Sequence, residues 1–233
     1  MAGGSVVVIG GSSGIGEEIG RHYASQGRKV YVSSREQARA DEAAARIGGD
    51  THGVAVDLSE PEGISAGLAP VEGPIEHLVI TAVLRDTNTV KEFAIDGARA
   101  LAVLKVVGYP ETIHQLHDRL TDESSIVLFG GLAKERPYPG STTVTSVNGG
   151  VEKMINTLTL ELGPIRINAI HPGVVLDSWY WEDNEPVRAA VLERTPTHRP
   201  VLTAHVVDAV RFLLENPSMN GVNLNIDGGW IVP

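Results

Sequence analysis

The chain has 233 residues, 42% hydrophobic and 21% charged, a size at which one α/β domain buries enough core to fold without staples. It has no cysteine, which excludes disulfides, thiolate zinc sites and a cysteine nucleophile. Nineteen Lys and Arg against 29 Asp and Glu leave a formal charge of −10, which repels a nucleic-acid backbone.

No basic segment precedes the short apolar run at 6–9, and no stretch approaches the roughly 18 apolar residues of a membrane span. The chain therefore reads as a soluble cytoplasmic protein. Strands are predicted at 5–9, 29–33, 53–56, 77–81, 125–129, 166–170 and 222–226, and helices near 14–26, 35–47, 60–68, 90–120, 147–162 and 204–215. Several strands are continuously apolar, which suits a parallel sheet covered on both faces. The alternation predicts right-handed crossovers in a single doubly wound domain spanning 1–233.

After the first strand comes Gly10-Gly11-Ser12-Ser13-Gly14-Ile15-Gly16, opening directly into a helical pattern. Gly10 permits a tight turn, Gly14 lets the backbone approach a pyrophosphate, and Gly16 permits close helix–strand packing. The helix N-terminus offers free N–H groups to phosphates. The second strand ends in Ser33-Ser34-Arg35 rather than a carboxylate. An acid there would bind a ribose hydroxyl, whereas Arg35 and the serines suit a 2′-phosphate, so NADP(H) is favoured over NAD(H). Farther on, His114 and His117 share a helical face, but no further ligand accompanies them and no metal site is expected. The stretch from 172 to 200 reads as irregular, holding Trp179, Tyr180 and Trp181 and prolines at 186, 196 and 200. Following a strand, its part at about 174–200 is expected to form a substrate lid at the carboxyl end of the sheet.

With these motifs in order, the sequence resembles the short-chain dehydrogenase/reductase family along its whole length. Asp57-Leu58 is similar to the family's adenine-contacting pair, and Arg166 to Gly173 to its sixth strand and Pro-Gly turn. Asn220-Gly221 and Ile226-Asp227-Gly228-Gly229 resemble its final strand. The resemblance implies a Rossmann-type core with strand order 3-2-1-4-5-6-7, a nicotinamide cofactor and a homotetramer or homodimer. It also places Thr81, Ala82 and Val83, and Pro172, Gly173, Val174 and Val175, at the cofactor.

The family's catalytic tyrosine and lysine, spaced Tyr-x-x-x-Lys, and its serine are not found where the resemblance puts them. The residues four positions after the five tyrosines are Gly27, Arg35, Ile113, Thr142 and Asn184. Val144 stands at the tyrosine position, Asn148 at the lysine position and Gly130-Gly131 at the serine, and Asp177 lies near the position of a family threonine. Lys105 stands where the family has an asparagine. These substitutions suggest an exchange: Lys105 supplies the active-site cation while Asn148 hydrogen-bonds the cofactor ribose. The competing reading leaves Lys105 as a solvated helix residue. Tyr138, Tyr180 and His171 are further candidate proton donors, each weighed against a packing role. The function expected is reduction of a small carbonyl, or oxidation of an alcohol, by a mechanism departing from the family's. The alternatives are a redox-inactive sensor or scaffold and a non-redox cyclase or isomerase.

Overall fold

Continuously apolar segments bury both faces of a sheet, and that requirement shapes the whole chain. In the computed structural model, which describes residues 3–178 and 180–232, seven parallel strands form one sheet. They are β1 Ser5–Ile9, β2 Val30–Ser34, β3 Thr51–Ala55, β4 Ile75–Ile80, β5 Leu120–Phe129, β6 Arg166–Pro172 and β7 Asn223–Ile226. Their order is β3-β2-β1-β4-β5-β6-β7, as expected. The helices are α1 Gly14–Ser25, α2 Gln37–Ile47, α3 Ile64–Leu68, α4 Ile95–Ala102, α5 Tyr109–Leu116, α6 Thr142–Leu162, α7 Glu185–Arg194 and α8 Thr203–Glu215.

Successive side chains of a strand point to opposite faces, so each strand feeds two cores. Val6, Val8, Val79 and Val127 pack with residues of α1, α2 and α8. Val7, Ile9, Leu78, Ile80, Ile126 and Leu128 pack with residues of α3, α5 and α6. Among the described residues, no helix is long and apolar enough to cross a membrane.

Three departures from the sequence reading matter for the site. The long helix expected over 90–120 begins only at Ile95 and widens into a π-helical turn at Val103–Gly108 between α4 and α5. Pro110 explains the widening: it has no N–H to donate to Val106, and its ring crowds that carbonyl. Helix α6 starts at Thr142, five residues before its expected start. Its first turns, Thr142-Thr143-Val144-Thr145, are β-branched and poor in intrinsic helix propensity, so packing decides there. The stretch expected to be irregular contains α7, whose cap Asn184 accepts a hydrogen bond from Val187 N at 3.2 Å, with Pro186 in the first turn.

Helix α2 lies so close to β3 that a Cβ on Gly53 would sit 2.5 Å from the backbone carbon of Ala40. Backbone cannot yield as a side chain can. Gly53→Ala is therefore expected to cost about 1–3 kcal/mol of stability in chemical denaturation. Gly63→Ala, whose added carbon meets open space, should leave the midpoint nearly unchanged.

Candidate active site

The loop between β1 and α1 is built around its glycines. Gly10 has φ +86° and Gly14 φ +55°, and a Cβ on Gly16 would lie 2.3 Å from the Gly10 carbonyl oxygen. Gly10 N donates to Ser33 Oγ at 2.9 Å, and Thr81 Oγ1 donates to Gly10 O at 3.0 Å. Ser33 and Thr81 thus brace the turn from the neighbouring strands β2 and β4. Among the described residues no side chain caps α1, so its first-turn N–H groups remain open to an anion.

This turn opens on a cavity of about 550 Å³ at the carboxyl edge of the sheet. Ser12, Ser13, Gly14, Ile15 and Gly16 form one wall, and Ser33, Ser34 and Arg35 another. Asp57 and Leu58 follow, with Asp57 Oδ1 accepting from Ser59 N at 2.9 Å. Thr81, Ala82 and Val83 and then Pro172, Gly173 and Val175 complete the expected set. Val174 and Asn148 line only a second, adjoining cavity of about 210 Å³. Arg39 and Arg85 also border the larger cavity and were not anticipated from the sequence. Arg39 carried a signal, since it follows Arg35 by four residues into the first turn of α2. Arg85 carried none. A dinucleotide fits this cradle, which combines uncapped N–H donors, glycine-thin walls and arginines at the end of β2.

Lys105 projects from the π-helical turn and is 2% exposed. Its Nζ donates to Asn148 Oδ1 at 2.8 Å and to Phe129 O at 3.0 Å. The solvated-helix reading of Lys105 is thereby corrected: tertiary contact places the amine beside α6 and the end of β5. Lys105 and Asn148, 43 positions apart, are in direct contact, an arrangement the sequence reading did not include. Burial pushes the Lys105 ammonium down to about 7. The residue borders both cavities. Tyr109 Oη reaches Ala82 O at 2.9 Å and Phe129 O at 3.1 Å, tying the ends of β4 and β5 together beneath it.

The alternative proton donors are placed differently. His171 is fully buried; its Nδ1 accepts from Gly131 N at 3.1 Å and its Nε2 meets Asn223 Oδ1 at 2.8 Å. An amide donor on Nδ1 requires the proton on Nε2, and burial pushes the ring down to about 4, so it is neutral. Tyr138 is 54% exposed and borders the smaller cavity, where partial burial raises its hydroxyl. Tyr180 lies edge-on to Trp181 at 4.5 Å and beneath the Arg85 guanidinium at 3.8 Å. Trp179 lies outside the described residues. Asp177 Oδ1 accepts from Thr203 N at 2.8 Å at the start of α8, which anchors the base of the segment. Among the described residues, no three His, Asp or Glu side chains converge to hold a metal.

The glycine pair after β5 is shaped by these neighbours. A Cβ on Gly130 would lie 2.2 Å from His171 Nδ1, and one on Gly131 2.7 Å from Asn148 Nδ2. A serine at 130 therefore collides with the imidazole. Gly130→Ser is expected to lose about 1–3 kcal/mol in denaturant unfolding. Combined with His171→Ala, the loss should be clearly less than the sum of the two single losses, because the second substitution clears the space.

Residues 9–231 match the family profile described as enoyl-(acyl carrier protein) reductase. The L-xylulose reductase of Mesocricetus auratus is 30% identical over 243 residues, covering all of this chain and 98% of its own length. The short-chain dehydrogenase/reductase ATR9 of Stachybotrys chlorohalonatus is 26% identical over 251 residues, covering 98% and 97% respectively. The MalC reductase/Diels-Alderase of Malbranchea aurantiaca shares the fold, with a TM-score of 0.91 at 21% identity over all of this chain and 97% of that one. Profile, sequence and fold agree over the full length, and the chain belongs to the short-chain dehydrogenase/reductase family of oxidoreductases.

Proposed function

We propose that the protein is an NADP(H)-dependent reductase of a small carbonyl compound, with the Lys105 ammonium as proton donor in place of a tyrosine hydroxyl. One observation carries this reading: a buried amine, held by Asn148 and the end of β5, stands at the junction of the two cavities. The α1 N-terminus would hold the pyrophosphate, Asp57 and Leu58 the adenine, and Ser34, Arg35 and Arg39 the 2′-phosphate. When bound, the nicotinamide supplies a hydride to the carbonyl carbon.

An ammonium has three N–H donors, and Phe129 O and Asn148 Oδ1 accept two of them. The third is free to meet a carbonyl oxygen in the smaller cavity. Charge developing on that oxygen is stabilised by the cation, which then transfers its proton and becomes a neutral amine. Removal from water makes the transfer easier than from an ordinary lysine, since the charged form is already disfavoured. Solvent returns the proton. Asn148 acts as a positioning residue for Lys105 rather than as a ribose ligand. The segment 174–200, with α7, serves as the lid. Exposed Leu160 on α6 and Phe212 on α8 support assembly as a homodimer or homotetramer.

Arg35→Ala and Arg39→Ala should each weaken NADPH binding about 10- to 100-fold, the scale of a lost charge-assisted hydrogen bond, and leave NADH binding unchanged. Titration of cofactor fluorescence checks this, and equal losses for both cofactors would refute the assignment. Lys105→Met should lower kcat for carbonyl reduction roughly 10²- to 10⁴-fold at constant NADPH affinity. In the unaltered protein, reduction needs the protonated amine, so its rate should fall as pH rises through about 7, and alcohol oxidation should rise. A Lys105→Met variant that retains this inflection would exclude the amine as its source.

A further inference from the structure

The smaller cavity runs against the charge of the chain. The protein carries a net −10, yet that cavity is bordered by Arg85, Lys105 and Arg136 and by no Asp or Glu. Arg21, Arg28, Arg46, Arg99 and Arg211 each have a carboxylate partner. Among the described residues, Arg85 and Arg136 pair with no carboxylate. The Arg85 guanidinium rests 3.8 Å from the Tyr180 ring centroid and 6.0 Å from that of Trp181. Arg136 lies 5.0 Å from the Trp230 ring centroid and donates once, at 3.3 Å, to Trp230 O. Asp86, next to Arg85 in the chain, accepts from Asn88 Nδ2 at 2.6 Å and does not border the cavity.

Contact with an aromatic face holds a guanidinium in place, and its fork of N–H donors matches the two oxygens of a carboxylate. Lys105 spends two of its N–H donors on neutral acceptors and keeps the third for the carbonyl, so the two arginines are the groups left for an anion. The remaining walls, including Leu101, Leu132, Val144 and Val147, are apolar, and about 210 Å³ admits only a small body.

We infer that this cavity takes a carbonyl compound bearing a carboxylate, with Arg85 and Arg136 holding the carboxylate while the carbonyl lies at Lys105. The inference rests on the reductase reading for the role of the carbonyl, whereas the carboxylate subsite stands on its own geometry. Arg85 also borders the larger cavity, so Arg136, which borders only the smaller one, is the cleaner probe.

The test is calorimetric titration of the full chain with benzoate and its uncharged counterpart benzamide, with and without saturating NADPH. Benzoate is expected to bind at least about ten-fold tighter, as one charge-assisted fork implies. Arg136→Gln should collapse that preference, and Arg85→Gln, at an exposed position, serves as the second variant. Equal binding of the two compounds, no benzoate binding, or a preference surviving in both variants would overturn the inference. NADPH fluorescence is read separately. Failure of NADPH to bind would sink the cofactor reading while leaving the benzoate preference measurable on the cofactor-free protein.

Discussion

A buried ammonium facing only neutral acceptors is the constraint around which the site is organised. Leaving such a charge without hydrogen bonds costs several kcal/mol, so the fold has to bring acceptors to it. Three elements meet that demand at Lys105. The π-helical turn imposed by Pro110 presents the side chain, the end of β5 offers the Phe129 carbonyl, and the second turn of α6 offers Asn148. Gly131 is bare where the Asn148 amide passes, and Tyr109 shares the Phe129 carbonyl from below. Losing the Phe129 or the Asn148 acceptor leaves the amine short of a partner, which lowers its readiness to stay charged.

The glycine excess, 26 residues in all, serves two different ends. At Gly10, Gly14 and Gly16 it answers backbone conformation and the close approach of strand, turn and helix. At Gly130 and Gly131 it answers side chains from elsewhere, the imidazole of His171 and the amide of Asn148. Absence of a serine hydroxyl there is thus coupled to a neutral, doubly bonded histidine behind it. Lys105, Asn148, Gly131, His171 and Gly130 adjoin one another in turn around the end of β5, so a change at one of them is felt by its neighbours.

Charge is distributed to the same purpose. The chain as a whole carries a net charge of −10, while the cleft at the carboxyl edge collects Arg35, Arg39, Arg85, Lys105 and Arg136. Dinucleotide phosphates and a carboxylate-bearing substrate would both be drawn to that cleft. Contact of the Arg85 guanidinium with the Tyr180 ring, 3.8 Å from its centroid, ties the cationic wall to the segment after β6.

The order of the strands, the phosphate-binding turn and the family were legible in the sequence, because each depends on periodicity or on residues adjacent in the chain. Lys105 and Asn148 were singled out in the sequence only by their positions in a resemblance, with Asn148 expected at the ribose and not at Lys105. Their contact, and the burial that displaces the amine from its usual range, required α6 to pack against the π-helical turn. The start of α6 was misplaced because β-branched residues there oppose a helix that packing enforces, and the break in the long helix was hidden by apolar periodicity on both sides of Pro110. Arg85, Arg136 and Trp230 left no local trace, since they reach the cavity from separate loops. Sequence by itself determined what the chain is, a dinucleotide-type sheet with one end opened by glycine. Tertiary structure alone decided which cations, brought together from distant segments, face one another across that opening, because convergence in space is set by packing and has no spacing along the chain.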